Sequence, residues 1–117
     1  MRIEVTQQAM EALNASIAKW REASENRESD VWETLGTSDG CPLCQLYYSR
    51  SSKCVDCPLR KFTGHGVCSY PEFINWSDVE FIEPYITDSL LQATKDVLNV
   101  LERCKENCVV IKGESDV

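Results

Sequence analysis

The sequence has little that would direct the chain into or across a membrane. Residues 1–6 contain one basic side chain and no apolar run follows it, so they do not read as a secretory signal. No stretch of the 117 residues approaches the apolar length that a membrane-spanning helix needs. We therefore expect a cytoplasmic protein without a membrane role, in which thiols stay reduced and are available to metals.

Sequence motifs of common enzymes are also missing. The chain has no glycine-rich phosphate loop, no Gly-x-Ser-x-Gly elbow and no His-Glu-x-x-His pair. Its one histidine, His65, stands three residues before Cys68. A Cys–His pair without an oxyanion-binding signature is weak support for catalysis, so a turn residue or an alternative metal ligand is the better interpretation of His65. The sequence predicts that the protein is not an enzyme.

Positive charge is scarce, and the formal net charge is −7. Residues 1–40 carry −4 and residues 71–117 carry −6, whereas residues 41–70 carry +3. Non-specific nucleic-acid binding needs clustered cations, so an acidic chain favours a protein partner. Acidic helices would complement a basic partner surface or imitate nucleic acid, although plain solvated faces explain them equally well.

The alternative to a protein partner is a nucleic-acid-binding module within residues 41–70. Salt-sensitive contacts to phosphates and stacking on bases are the usual means of such binding. The residues available for these contacts are Arg50, Lys53, Arg60 and Lys61, with Tyr47, Tyr48 and Tyr70 for stacking.

Cysteine, by contrast, is abundant: there are seven, an odd number that fits a pure disulfide framework poorly. Five of them lie within thirty residues: Cys41, Cys44, Cys54, Cys57 and Cys68. The first four form two Cys-x-x-Cys pairs, 41/44 and 54/57. Zn²⁺ takes four ligands in a tetrahedron, and each Cys-x-x-Cys turn supplies two thiolates. We therefore predict a zinc ion bound by four of these five cysteines. The two pairs are the simplest set, with Cys68 in place of Cys54 as an alternative.

The predicted zinc is structural rather than catalytic, because a closed four-cysteine site leaves no position for a reactive water. Cys104 and Cys108 lie one helical turn apart and would need two further ligands to hold a second metal. Buried cysteines on apolar helix faces are common, so core packing is the preferred interpretation of this pair.

Apolar periodicity predicts two long amphipathic helices. The first runs from about Gln7 to Glu25, because Met10, Leu13, Ile17 and Trp20 fall on one helical face. The second begins at Thr87 and Asp88 and ends near Cys108, with apolar residues again at helical spacing. The capping-box pattern Ser77–Glu80 predicts a short helix through about Glu83.

The predicted fold is mainly α: an antiparallel helical hairpin joined by a zinc-binding loop module. It forms one domain, with a helix at 7–25, a connector at 26–40, the zinc module at 41–70 and a helical C-terminal part at 71–112. In the connector, Trp32 and Leu35 form a short apolar anchor. Strand propensity near both ends predicts that residues 3–5 pair with residues 109–112.

Several short motifs together resemble a group of small proteins common in bacteriophage genomes. They are Leu13-x-x-Ser16-Ile17-x-Lys19-Trp20, Cys41-Pro42-Leu43-Cys44, Cys54-x-x-Cys57-Pro58-Leu59, Thr63-Gly64-x-Gly66-x-Cys68 and Tyr70-Pro71. That group shares a first helix with the Ser-Ile-x-Lys-Trp segment, the five-cysteine block and a final helix rich in alanine and leucine. The resemblance covers roughly Leu13 to Leu101, and this chain departs from it in a longer connector, about Asn26 to Thr37.

The resemblance implies a phage origin and a zinc site, and it carries no assigned activity. With the acidic charge, it leads us to expect a small zinc-binding phage accessory protein in the host cytoplasm. We expect it to act by binding a host or phage protein, for example as an inhibitor or against a host defence. The partner, the oligomeric state and the choice of four cysteines stay open at this stage.

Overall fold

Helices make up most of the chain that the structure describes, in agreement with the predicted fold class. The computed structural model describes residues 2–33, 35, 57–64, 70–78 and 87–111. Its elements, in chain order, are β1 (Ile3–Val5), α1 (Gln7–Glu25), a 3₁₀ helix (Asp30–Glu33), α2 (Pro58–Thr63), α3 (Pro71–Asp78), α4 (Asp88–Glu106) and β2 (Cys108–Val110). None of the helices in these ranges is long and apolar enough to cross a membrane.

Helix α1 has the predicted bounds. The Thr6 side chain caps it by accepting a hydrogen bond from the backbone N–H of Ala9 at 3.0 Å, which satisfies one of the donors left open at a helix start. Its buried side chains recur every three or four residues: Ala9, Leu13, Ser16, Ile17, Trp20 and Ala23. The helix therefore turns one stripe of its surface inward.

Helix α4 is built in the same way. The Thr87 side chain caps it by accepting a hydrogen bond from the backbone N–H of Leu90 at 3.1 Å. The buried face carries Leu90, Ala93, Thr94, Val97, Val100, Leu101 and Cys104. The helix ends at Glu106, two residues before the predicted end near Cys108, and Asn107 follows as its C-cap.

Helices α1 and α4 run antiparallel, as predicted. Arg27, just beyond the end of α1, forms an ion pair with Asp88 at the start of α4. The backbone N–H of Ile3, just before α1, donates to the carbonyl of Asn107, just after α4, at 2.8 Å. Their buried stripes meet in one core cluster, which is where the apolar stabilisation of the hairpin arises.

The two short strands pair, which confirms the predicted association of residues near both ends. The pairing is parallel, with Ile3 opposite Cys108 and Val5 opposite Val110. The second strand starts one residue before the predicted Val109 and ends at Val110. Ile3 and Val5 are buried and form a small second core cluster with Ala9. The sequence pattern alone carried no information on the direction of this pairing.

Helix α3 begins earlier than the capping-box pattern indicates. It starts at Pro71, a residue suited to the first helical position because its fixed φ is helical and it has no N–H to satisfy. The carbonyl of Tyr70 accepts the bond from the N–H of Ile74 at 3.0 Å. Ser77, predicted as the cap of a helix, lies inside α3 and donates its hydroxyl to the Ile74 carbonyl. The prediction of a helix start at Ser77 is therefore wrong, and residues 79–83 of that prediction lie outside the described residues.

Aromatic rings connect α3 to the hairpin. Trp20 of α1 meets Trp76 of α3 edge to face, with ring centroids 5.0 Å apart, and also contacts Phe73 at 6.2 Å. The indole N–H of Trp76 donates to the hydroxyl of Thr94 in α4 at 3.0 Å. The hydrogen bond between Trp76 and Thr94 thus fixes the packing of the Trp76 ring, which connects α3 to both α1 and α4.

The connector enters the core through a short apolar segment, as predicted. Trp32 lies in the 3₁₀ helix and donates its indole N–H to the carbonyl of Asn26 at 3.0 Å. Leu35 is buried in the main core cluster, and Trp32 packs against that cluster while remaining half-exposed. After the polar residues that follow α1, the chain therefore returns to the core of the hairpin at Trp32 and Leu35.

Candidate functional site

Of the predicted zinc ligands, only Cys57 falls within the described residues. Cys41, Cys44, Cys54 and Cys68 lie outside them, as does His65. Cys57 is half-exposed and packs against the main core cluster. Its surroundings are therefore the part of the predicted zinc module that the structure can define.

Cys57 occupies the N-cap position of α2, the short helix that follows the second Cys-x-x-Cys pair. Its backbone is extended, with φ −65° and ψ 130°, and its carbonyl accepts a bond from the N–H of Lys61 at 3.1 Å. Pro58 follows in the first turn of α2, where its missing N–H costs no hydrogen bond within the helix. Two residues after Cys57, Leu59 is buried in the main core cluster, so the core fixes the backbone next to this thiol.

Helix α2 stops at Gly64, whose φ of 78° lies in the left-handed region. The N–H of Gly64 donates to the carbonyl of Arg60 at 2.7 Å. A glycine at this position adopts positive φ without the steric cost that a Cβ atom brings. The two glycines at 64 and 66 predict a turn over residues 63–66; Thr63 is instead the last residue of α2, Gly64 ends the helix, and residues 65 and 66 lie outside the described part.

Two further cysteines meet at the end of α4. Cys104 is fully buried, while Cys108, four residues later at the start of β2, is half-exposed. Burial in the core raises the pKa of Cys104 far above its ordinary value, and the neighbouring Cys108 thiol raises it further. Burial also raises the pKa of Cys108, while the neighbouring Cys104 thiol acts in the opposite direction.

Cys57 packs against the same core cluster as this pair, although 47 residues separate it from Cys104 in the chain. A negative charge on Cys57 is felt at Cys104, whose pKa it raises. Cys57 and Cys108 both pack against the core cluster to which Cys104 belongs. No disulfide joins Cys57, Cys104 and Cys108. In the described ranges, no three His, Cys, Asp or Glu side chains are already arranged around a common ion position.

The chemistry of this cluster is that of soft sulfur donors in an apolar setting. Thiolates are the preferred ligands of zinc and related thiophilic ions, so the donor type fits the zinc predicted from the sequence. Sequence analysis placed Cys104 correctly in the core, as its full burial shows. It missed that Cys57 packs against the same cluster, which no residue spacing in the sequence encodes.

The residues proposed for nucleic-acid contact are divided by the structure. Arg60 and Lys61 lie on α2 and both are exposed. Tyr70 is only 2% exposed and its ring packs against Phe73 with centroids 5.8 Å apart. The expectation that Tyr70 is available to stack on a base is therefore wrong, because its ring belongs to the core. The other four residues of that set, 47, 48, 50 and 53, lie outside the described residues.

Comparison with known proteins finds no relative on which to base an assignment. No protein-family model, curated protein or solved structure matches the chain.

Proposed function

We propose that this chain is a small zinc-binding accessory protein of bacteriophage origin that acts by binding a basic surface on a host or phage protein. In this proposal the zinc is structural and is held by four cysteines of the set Cys41, Cys44, Cys54, Cys57 and Cys68. The helical hairpin presents charge to the partner, and the zinc module orders the long connection between the two helices.

The observation that carries the protein-binding part is the placement of negative charge. None of the acidic side chains within the described residues is buried, and those of Glu22, Glu25, Glu28 and Asp30 follow one another at the end of α1 and just beyond it. Exposed charge of one sign accelerates association with an oppositely charged surface and disfavours other partners. The net charge of −7 extends this bias to the whole chain.

Affinity purification of the tagged full-length chain from bacterial lysate, with nuclease treatment and mass spectrometry, tests the partner class. We expect a stoichiometric basic protein that survives nuclease treatment. Its association rate should fall as salt rises, because screening shortens the range of electrostatic attraction to about 8 Å at physiological ionic strength. Recovery of nucleic acid alone, with nothing retained after nuclease, would contradict the proposal.

A matched pair of variants separates charge from folding. Glu25→Gln with Glu28→Gln removes two exposed charges and keeps the side-chain size, so stability should change by no more than about 0.5 kcal/mol. Partner binding should weaken and lose part of its salt dependence. Gln7→Ala with Gln8→Ala, two exposed neutral positions at the other end of α1, is the control and should leave binding unchanged.

The zinc part of the proposal is tested by metal removal. A chelator should lower both helicity and the melting temperature, because binding energy of a structural zinc is folding energy. Cys41→Ser with Cys44→Ser should lose metal and reproduce the chelator's effect. Unchanged circular dichroism and melting after complete zinc removal would show that the fold does not depend on the ion.

A second candidate is a nucleic-acid-binding module, and the exposure of Arg60 and Lys61 on α2 favours it. The test is binding of the full chain to single-stranded and double-stranded oligonucleotides across a salt series. Arg60→Gln with Lys61→Gln should then weaken binding and reduce its salt slope by about two. Binding that is undetectable at low salt would end this alternative.

A further inference from the structure

We infer that Arg103 of helix α4 completes an anion-binding surface with Arg60 and Lys61 of α2, and that this surface binds the phosphate backbone of nucleic acid. The inference deepens the second candidate function and depends on its claim that Arg60 and Lys61 contact nucleic acid. It extends that site from the cysteine block to the C-terminal part of the chain, which carries −6 overall.

The contact that joins the two helices is a cation–π interaction. The guanidinium carbon of Arg103 lies over the ring of Phe62, 5.9 Å from the ring centroid. A cation within about 6 Å of an aromatic centroid is attracted by the negative face of the ring. Phe62 packs against both core clusters, so the fold determines where its ring lies. The ring therefore holds the charge of Arg103 beside α2.

The two faces of α2 differ as such a surface requires. The inner face carries the buried Leu59 and the half-buried Phe62, whereas Arg60 and Lys61 are exposed. A helix of six residues is about 9 Å long. This is the length of about three base steps of a duplex at 3.4 Å each. The two cations of α2, with Arg103 held at Phe62, can therefore reach neighbouring phosphates.

The charges of this surface are available to a ligand. Three other arginines of the described part form ion pairs: Arg2 with Glu4, Arg21 with Glu102 and Arg27 with Asp88. By contrast, no carboxylate among the described residues pairs with Arg60, Lys61 or Arg103. Their side-chain N–H groups also donate no hydrogen bond to a described residue. Glu102, the neighbour of Arg103 on α4, is already paired with Arg21.

The chemistry of these side chains favours phosphate. A guanidinium group presents several N–H donors in one plane and binds phosphate oxygens through paired hydrogen bonds. When it lies over an aromatic ring, these donors stay free along its edge. The segment 41–70, to which α2 belongs, carries +3 and includes Arg50 and Lys53. A polyanion gains affinity from each such cation, because every neutralised phosphate releases counterions. Nucleic acid is a polyanion of this kind.

Binding of the full-length chain to a fluorescein-labelled DNA duplex, measured by fluorescence anisotropy across a salt series, tests the inference. Arg103→Gln should weaken binding roughly tenfold at about 50 mM salt and lower the salt slope by about one, as expected for one lost phosphate contact. Lys95→Gln is the matched control, because Lys95 is also exposed on α4 and lies about 12 Å from Arg103 along the helix axis.

The control removes the same charge from the same helix, away from the proposed surface. Lys95→Gln should leave the affinity within about twofold and the salt slope unchanged, because an exposed charge without a phosphate contact acts only through screened attraction. Equal effects of Arg103→Gln and Lys95→Gln would overturn the inference, since net charge alone would then explain both.

A variant that keeps the net charge tests the Phe62 ring as a positioning group. Phe62→Leu leaves an apolar side chain against the core and removes the ring beneath Arg103. It should weaken duplex binding by about two- to fivefold. Arg103→Gln should then cost less in the Phe62→Leu background than in the wild type, because both residues act through one contact. Fully additive effects in folded protein would overturn the placement of Arg103 on which the inference rests.

The same titrations distinguish this inference from the second candidate function. If Arg60→Gln/Lys61→Gln weakens binding while Arg103→Gln behaves like Lys95→Gln, the candidate function stands and the inference is refuted. If the wild-type chain fails to bind the duplex at low salt, both are refuted. Poly-glutamate tests the class of ligand. If it competes as well as unlabelled duplex at an equal concentration of negative charge, the surface does not select phosphate and the assignment to nucleic acid is overturned.

Discussion

Replacing Ser16 by alanine should stabilise the protein, although Ser16 is a buried residue of the main helix pair. Ser16 is 2% exposed on the inner face of α1. Its hydroxyl has no hydrogen-bond partner among the residues that the structure describes. Burying a hydroxyl without a partner costs free energy, because the group gives up its bonds to water on folding and receives none in return.

The expected gain follows from three terms. An unsatisfied buried polar group costs about 1–3 kcal/mol, and Ser16→Ala removes that cost. Alanine is also the better helix former in the middle of a helix, by a few tenths of a kcal/mol. Against these, loss of one oxygen leaves a small void, which at the size of a single atom costs less than about 1 kcal/mol. The net effect should be a stabilisation of about 1–2 kcal/mol, or roughly 4 °C or more in melting temperature.

Thr94→Val provides the matched control of opposite sign. Thr94 is fully buried on α4, and its hydroxyl donates to the Leu90 carbonyl at 2.7 Å while accepting the indole N–H of Trp76 at 3.0 Å. Valine keeps the shape and leaves the Trp76 N–H without its partner, which should destabilise the fold by about 1–2 kcal/mol.

Urea unfolding followed by far-UV circular dichroism measures both variants, with unchanged m-values required so that midpoints report stability alone. A loss of stability in Ser16→Ala would refute the reasoning. It would mean that a buried water or a local rearrangement satisfies the Ser16 hydroxyl.

Three further substitutions test local features of the fold. Thr87→Ala should destabilise by about 1 kcal/mol in urea unfolding, since the N–H of Leu90 loses its capping acceptor. Gly64→Ala should cost about 1 kcal/mol in the same assay, because φ at Gly64 is 78°, and open space around the position means that the cost is conformational rather than steric. Arg27→Ala should lower the free energy of unfolding by less than about 0.5 kcal/mol and so hardly change the melting temperature, because the ion pair with Asp88 is solvent-exposed. A large loss of stability would show that this ion pair contributes more than exposed pairs usually do.

The helical frame was predictable because its signals are local. Thr6 and Thr87 are capping residues that directly precede apolar residues at helical spacing, and the structure places the two long helices behind them. Their packing against each other follows from the need to bury two apolar stripes, each incomplete alone. The same reasoning failed at Ser77, where the capping-box spacing competed with Pro71 and the proline determined the start of α3.

What the sequence could not supply depends on contacts between distant segments. The strands β1 and β2 pair in parallel, and strand propensity does not encode that direction. The burial of Tyr70 arises from its contact with Phe73 and the hairpin core. The packing of Cys57 against the cluster that contains Cys104 likewise joins distant segments, which no local periodicity records.

The main core cluster receives residues from both sides of the region around His65. Leu59, two residues after Cys57, and Tyr70, which precedes α3, are buried in the same cluster as Leu13 of α1. In the proposed zinc module, a metal bound at Cys57 would restrain the backbone that carries the core side chain of Leu59. The packed core would in turn hold Cys57 in place, which would reduce the conformational entropy lost when the site closes. On that proposal, metal affinity and the stability of the hairpin are linked through the few bonds between Cys57 and Leu59.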